Sequence, residues 1–210
     1  HGGYWRLLSK DDSSFMAPTL TQAGITVVAV NYSLAPAVTL DRIVDQTRRA
    51  VAWVHHNIAQ HHGDGRRLII AGSSAGGHLA GMVLASGWQQ SYGMDAAAIA
   101  GAVLLSGLYD LTPLVETHIN EWMRLSLEDA QRNSPLFALP QHGAPILVSY
   151  GSNETAEFKR QSHDYLAAWQ AQGFQGEYVD MPDTNHFDLV LHLNRLDSPL
   201  VQKLLKLLAL

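Results

Sequence analysis

The sequence predicts one α/β domain, built around a mostly parallel sheet that is flanked by helices. Three observations lead to this fold class. The chain has 210 residues, hydrophobic residues make up 47% of it, and short apolar runs alternate with segments of helical periodicity. A chain of this length can bury one large core, and strands that alternate with helices form parallel sheets with right-handed crossovers. We therefore expect residues 1–210 to form a single domain.

Five apolar runs are predicted as strands. Most are rich in β-branched residues and nearly continuous in hydrophobicity, as in strands that are buried on both faces. Their ranges are 25–32, 68–72, 99–106, 146–150 and 177–181.

Four segments with apolar residues at helical spacing are predicted as helices. They span residues 41–62, 76–88, 156–172 and 189–210, and Pro199 interrupts the last one. Residues 200–210 are amphipathic, but only Lys203 and Lys206 give them positive charge. A helix that closes on the core is therefore favoured over one that binds a membrane surface.

Residues 108–140 break the alternation of strands and helices. Pro113, Asn120, Asn133 and Pro135 divide this region into short pieces. An insertion between strands often supplies a lid or a pocket wall, and we expect that role here.

Composition excludes several classes of function. The net charge is −5 with no basic block, so the chain lacks the electrostatic footprint of a nucleic-acid-binding protein. The absence of cysteine excludes disulfides, thiolate metal sites and a cysteine nucleophile. The longest apolar run, residues 96–105, is too short to cross a bilayer. We expect a cytoplasmic enzyme that binds a small molecule and no membrane, with a homodimer left open as its assembly.

The chain begins at His1 without an initiator methionine or a signal peptide, and inside a motif of functional character. We expect it to be an N-terminally incomplete piece of a longer protein.

The strongest local motif is Gly72-Ser73-Ser74-Ala75-Gly76, between a predicted strand and a predicted helix. A G-x-S-x-G sequence in this context is a nucleophile elbow. The sharp turn requires nearly side-chain-free residues two positions before and after the serine, which selects Ser74 over Ser73. The helix N-terminus that follows favours developing negative charge.

A second motif, His1-Gly2-Gly3-Tyr4-Trp5, suits an oxyanion hole. Acyl transfer requires backbone N–H groups aimed at the tetrahedral oxyanion, and glycines allow the main chain to approach closely. The predicted donors are Ala75, which follows the nucleophile, and the stretch Gly2, Gly3 and Tyr4.

A serine nucleophile needs a base and an orienting carboxylate, which follow it in the order acid, then histidine. His186 lies directly after the last predicted strand, whereas His163 and His192 fall within predicted helices. Glu154, directly after the strand 146–150, is the favoured acid. The competing carboxylates are Glu157, Asp180 and Asp183.

The remaining histidines do not indicate a metal site. His55, His56, His61 and His62 lack the i, i+4 spacing of a zinc-binding pair. We expect neither a metal nor an organic cofactor.

Aromatic residues near the motifs are candidates for a substrate pocket, with core packing as the alternative for each. They are Tyr4, Trp5, Tyr109 and Trp122.

Together these motifs resemble the α/β-hydrolase superfamily, and more narrowly the serine-hydrolase arylformamidases (kynurenine formamidases) and their bacterial esterase relatives. The stretches that carry the resemblance are HGGYW at 1–5, GSSAGGH at 72–78, SGLYDL at 106–111, ETAEFKRQS at 154–162 and Asn185-His186-Phe187. The resemblance implies the α/β-hydrolase fold, with Ser74 as nucleophile, Glu154 as acid, His186 as base and the HGGYW loop as oxyanion hole. This sequence departs from the family in two ways. Many formamidases carry Asp where Glu154 stands, and the family fold begins with strands ahead of the HGG loop.

The predicted function is hydrolysis of an aryl formamide of the N-formylkynurenine type or of a carboxylic ester, through an acyl-enzyme. A broad short-chain carboxylesterase is the second prediction. A ligand-binding pseudo-hydrolase is a third, disfavoured because all three triad positions hold competent residue types.

Overall fold

The computed structural model describes residues 1–209, except for the side chain of Ala96. Within them, four parallel strands form one sheet in the order β1-β2-β3-β4. The strands are β1 (Leu68–Ser73), β2 (Ile99–Leu105), β3 (Ile146–Ser149) and β4 (Gly176–Tyr178). The predicted α/β class and mostly parallel sheet are confirmed.

Seven α-helices connect and cover these strands in the described part of the chain. They are α1 (Ala17–Gln22), α2 (Leu40–Asn57), α3 (Ala75–Leu84), α4 (Asn120–Met123), α5 (Leu127–Arg132), α6 (Ala156–Ala171) and α7 (Pro199–Leu208).

Alternate residues of the central strands build two cores, one on each face of the sheet. Ala102 and Leu104 of β2 face a cluster formed with α2, α3 and α6. Val103 and Leu105 face the opposite cluster, which includes α7. The sheet is therefore the middle layer of three.

Helix α7 covers the second of these faces with one side of its surface. Leu200, Val201, Leu204 and Leu208 are buried. The prediction that this segment closes on the core is confirmed, although Leu210 lies outside the described residues. Residues 189–194 form a short 3₁₀-helix rather than part of one long helix. The interruption lies between Asn194 and Pro199. Pro199 begins α7, a position that suits proline because the first N–H groups of a helix have no intrahelical partner.

The prediction of a buried strand at residues 25–32 is wrong. This segment makes no strand pairing, and Tyr32 is its only buried residue. A strand needs a hydrogen-bonded neighbour, and this segment does not reach the free edge of β1. The segment 25–32 and strand β1 instead line the same apolar cavity, which has a volume of about 390 Å³. Val30 and Ile70 are among its lining residues.

Other elements differ from the predictions at their ends. Helix α3 stops at Leu84, because Ala85 is extended and Gly87 adopts a φ of +93°. Helix α2 ends at Asn57 and continues as a 3₁₀-turn, and β4 is shorter than predicted.

The region 108–140 contains α4, α5 and short 3₁₀-turns. Several of its apolar side chains pack with Trp5 and the start of α2 in a third cluster; they include Leu111, Ile119 and Met123. The region therefore lies against the loop that holds the first motif. No helix of the described chain has the length and apolar character to cross a membrane.

Candidate active site

Ser74 stands at the sharp turn between β1 and α3. Its backbone has φ 58° and ψ −122°, outside the regions that most residues adopt. Its N–H donates to Leu105 O at 2.9 Å, which fixes the turn to the end of β2. A Cβ on Gly72 would lie 2.1 Å from Gly76 O, so glycine at position 72 permits the turn for the steric reason inferred from the sequence.

His186 and Glu154 reach Ser74 from loops that follow β4 and β3. His186 Nε2 lies 3.0 Å from Ser74 Oγ, and His186 Nδ1 lies 2.8 Å from Glu154 Oε2. An ionised carboxylate only accepts, so Nδ1 carries a proton and Nε2 presents its lone pair to the serine hydroxyl. The three side chains form one hydrogen-bonded chain across residues that are up to 112 positions apart.

The two loops are joined to each other by hydrogen bonds. Asn153 N donates to Thr184 O at 2.9 Å, and Asp183 N donates to Ser152 Oγ at 2.8 Å. These bonds hold the segment with Glu154 beside the segment with His186.

The second oxygen of Glu154 is also occupied. Oε1 accepts from Ser106 Oγ at 2.5 Å and from Gly151 N at 2.6 Å. Burial opposes ionisation of Glu154, but the hydrogen bonds from His186, Ser106 and Gly151 outweigh it and hold the pKa of Glu154 below its usual value. The carboxylate is thus kept ionised and fixed in orientation.

The competing carboxylates do not contact His186. Glu157 pairs with Arg160 at 2.6 Å on the surface of α6, and Asp180 and Asp183 are exposed. Of the four carboxylates considered from the sequence, Glu154 is the one that the structure brings to the histidine.

The first motif lies directly against the elbow. A Cβ on Gly2 would lie 3.4 Å from Ser74 Cβ, and one on Gly76 would lie 3.0 Å from His1 O. Within residues 1–209, the N–H groups of Gly2, Gly3 and Tyr4 donate to no protein acceptor. Ala75 is the first residue of α3, so its N–H has no partner within the helix. Of the predicted donors, Gly2 and Ala75 therefore both lie next to Ser74.

The rings of two phenylalanines lie beside His186. The Phe158 ring lies 4.3 Å from the His186 ring, between centroids, and Phe187 is 81% exposed beside it. Trp122 Nε1 donates to Tyr4 O at 3.3 Å, which connects the region 108–140 to the first motif.

Two pocket candidates from the sequence are placed differently. Trp5 and Tyr109 have no exposed surface, and Tyr109 stacks on Tyr165 with centroids 4.3 Å apart. Both rings were near a motif in sequence, but their size and apolar surface place them in the core.

The described residues hold no group of three or more His, Asp or Glu side chains arranged to bind a metal ion. On α2, His55 and His56 instead hydrogen-bond the carbonyl oxygens of Gly65 and Tyr92, at 2.6 and 3.0 Å.

Sequence reasoning assigned no role to Ser106, Phe158 or His78. Ser106 could have been found as the polar residue that ends a predicted buried strand, at the carboxyl edge of the sheet where Ser74 also lies. Phe158 and His78 carry no such signal, because their neighbours come from distant parts of the chain.

The chain is similar to known proteins in sequence and in fold. The sequence matches the family described as having the α/β-hydrolase fold over residues 1–189. It is 40% identical to a kynurenine formamidase of Salmo salar, over 99% of this chain and 71% of that protein. It is 28% identical to Esterase LipQ of Mycobacterium tuberculosis, over 90% of this chain and 49% of that protein. A solved structure of a putative thioesterase from Silicibacter sp. superimposes with a TM-score of 0.82 at 29% identity, over 96% of this chain and 72% of that one.

Proposed function

Because the chain belongs to the family with the α/β-hydrolase fold, we propose that it is a serine hydrolase in which Ser74 is the nucleophile, His186 the base and Glu154 the acid. The observation that carries this proposal is the hydrogen-bonded chain from Ser74 Oγ through both ring nitrogens of His186 to Glu154. Nucleophile, base and orienting carboxylate in this geometry define the triad of acyl-transfer enzymes on several unrelated folds.

Acylation begins when Ser74 Oγ attacks the carbonyl carbon of the substrate and His186 Nε2 takes the hydroxyl proton. The negative charge on the carbonyl oxygen is stabilised by N–H groups of Ala75 and of the Gly2-Gly3-Tyr4 stretch. Glu154 stabilises the imidazolium and keeps its tautomer. The tetrahedral intermediate then collapses, and the Nε2 proton passes to the departing amine or alcohol.

Deacylation repeats these steps with water. His186 takes a proton from the water as its oxygen attacks the acyl-enzyme, and the same N–H groups stabilise the second oxyanion. Collapse breaks the bond to Ser74 Oγ, and His186 returns the proton to the serine. For a formamide, the products are formate and the free amine.

The substrate class that we propose is an aryl formamide of the N-formylkynurenine type. Two observations support it. The relative that is 40% identical over 99% of this chain is a kynurenine formamidase. The rings of Phe158 and Phe187 flank His186 at centroid distances of 4.3 and 5.5 Å, where they can contact an aryl group.

A short-chain carboxylic ester is the second candidate substrate. It is favoured by the similarity to Esterase LipQ.

The test is kcat/KM for N-formylkynurenine and for p-nitrophenyl acetate, measured with the wild-type enzyme, Ser74→Ala and Ser73→Ala. We expect Ser74→Ala to lower kcat by about 10⁴–10⁶-fold, the scale of losing a triad member. The neighbouring Ser73→Ala is the matched control and should retain activity.

Near-wild-type turnover by Ser74→Ala would refute the assignment of the nucleophile. A wild-type protein that hydrolyses neither of the two substrates and does not react with a fluorophosphonate probe would contradict the proposed hydrolase function. That result would favour a ligand-binding pseudo-hydrolase. A preference for the ester would replace the aryl formamide as substrate and leave the triad in place.

A further inference from the structure

The loop that holds the predicted oxyanion donors has an unusual backbone. Gly3, Tyr4 and Trp5 follow one another with φ values of +96°, +47° and +57°. Only glycine adopts this left-handed region without steric cost, so Tyr4 and Trp5 need contacts outside the loop to remain there.

Trp5 supplies such a contact. Its side chain has no exposed surface, and its Nε1 donates to His78 Nδ1 at 3.1 Å. The two rings meet edge to face, with centroids 5.0 Å apart and planes at 89°. The Trp5 carbonyl oxygen also accepts from Ala35 N at 2.8 Å. The indole is thus held by a directional bond as well as by packing.

His78 is fixed in a single tautomer by its two partners. An indole N–H can only donate, so Nδ1 of His78 must accept. The other nitrogen, Nε2, lies 2.7 Å from the carbonyl oxygen of Asn133, which can only accept, so Nε2 carries the proton. Both ring nitrogens are satisfied by groups that are far apart in sequence.

The position of His78 on α3 gives this arrangement a consequence for catalysis. Ala75, whose N–H is one predicted oxyanion donor, opens α3, and His78 lies one turn later on the same helix. The helix that places one donor therefore also anchors the loop that places the others, because Trp5 follows Gly2, Gly3 and Tyr4 directly.

We propose that His78 is a positioning residue: through its hydrogen bond with Trp5 it sets the distance between the N–H groups of the first motif and that of Ala75. The inference rests on the proposed function, since it assigns a role within that site. His78 touches no reacting atom, and its effect on the reaction passes through Trp5.

The decisive variant is Trp5→Phe, which removes the indole N–H and keeps most of the aromatic packing. Trp88→Phe is the matched control, because Trp88 is also buried and also makes one hydrogen bond through Nε1, to Val83 O at 2.9 Å. His78→Leu removes the acceptor, and His78→Gln can accept from Trp5 and donate to Asn133.

We expect Trp5→Phe and His78→Leu to lower kcat about 10–100-fold with KM changed less than about twofold, because the donors act on the transition state. Affinity for a trifluoromethyl ketone, which forms a tetrahedral adduct with the serine, should fall in parallel. His78→Gln should recover most of the loss, and Trp88→Phe should keep wild-type kcat.

Equal kcat and equal inhibitor affinity in Trp5→Phe and Trp88→Phe would overturn the proposal. So would a loss in Trp5→Phe that is confined to KM. If His78→Leu does not fold, as judged by thermal unfolding, Trp5→Phe decides. A wild-type protein without serine-dependent turnover or labelling would overturn the proposed function, whereas the outcomes above overturn only the role of His78.

Discussion

Replacement of His78 by Gln should make the protein less sensitive to acid unfolding. Complete burial, reinforced by the positive charge of Arg48, lowers the pKa of His78 from 6.5 to about 4, against a smaller opposing effect of the bond to Asn133 O. The unfolded chain therefore binds a proton at this position between pH 6.5 and 4, and the folded chain does not. The folded state loses stability as the pH falls through this window.

The size of the effect follows from the two pKa values. Each tenfold difference in proton affinity corresponds to about 1.4 kcal/mol, so the full effect below pH 4 is about 3 kcal/mol. Between pH 7 and pH 5 the His78 contribution to the free energy of unfolding falls by about 2 kcal/mol. Glutamine does not titrate, and it can make the same two hydrogen bonds.

The assay is urea unfolding of the wild-type protein and of His78→Gln at pH 7 and pH 5. All other titrating groups are shared by the two proteins, so the difference between their pH effects isolates His78. The wild-type protein should lose about 2 kcal/mol more than the variant over this interval. An equal loss in both proteins would show that the buried imidazole does not resist protonation, and the reasoning from burial would be wrong.

Two further predictions concern Glu154, the carboxylate of the proposed triad. Ser106→Ala removes one of the two donors on Glu154 Oε1, and we expect kcat/KM to fall about 10-fold, the effect of losing one hydrogen bond to a charged group. Steady-state kinetics with unchanged thermal unfolding checks this, and full activity would exclude a role for Ser106. Glu154→Gln keeps the shape of the side chain but favours the wrong His186 tautomer, and kcat should fall by about 10³–10⁴-fold. A loss smaller than tenfold would point to another carboxylate.

Local sequence rules predicted the elements that depend on local forces. β1, β2 and β3 lie where apolar runs were found, because strands buried on both faces need continuous hydrophobicity. The elbow could be recognised for a similar reason: the sharp turn leaves no room for a side chain at Gly72. The run at 25–32 has the same composition, yet it forms no strand, because strand formation requires a paired neighbour that composition does not report.

The candidate site likewise contains some residues that local sequence rules predicted correctly and others that they did not. The order Ser, Glu, His along the chain indicated Ser74, Glu154 and His186, and the folded chain brings these three together. Trp5 and Tyr109 were close to motifs in sequence, but their rings are buried. Ser106 belongs to the SGLYDL stretch, but its bond to Glu154 exists only because β2 and β3 lie side by side in the sheet.

Sequence patterns were sufficient to predict the α/β class, the turn at Ser74 and the residue types of the candidate site, because backbone sterics and hydrophobic periodicity act over a few residues. The tertiary structure alone decided which carboxylate faces His186, what fixes that carboxylate, and how Trp5 is anchored on His78. Those choices depend on hydrogen bonds between residues that are 32 to 112 positions apart, and their geometry exists only after parallel strands align their carboxyl ends at one edge of the sheet.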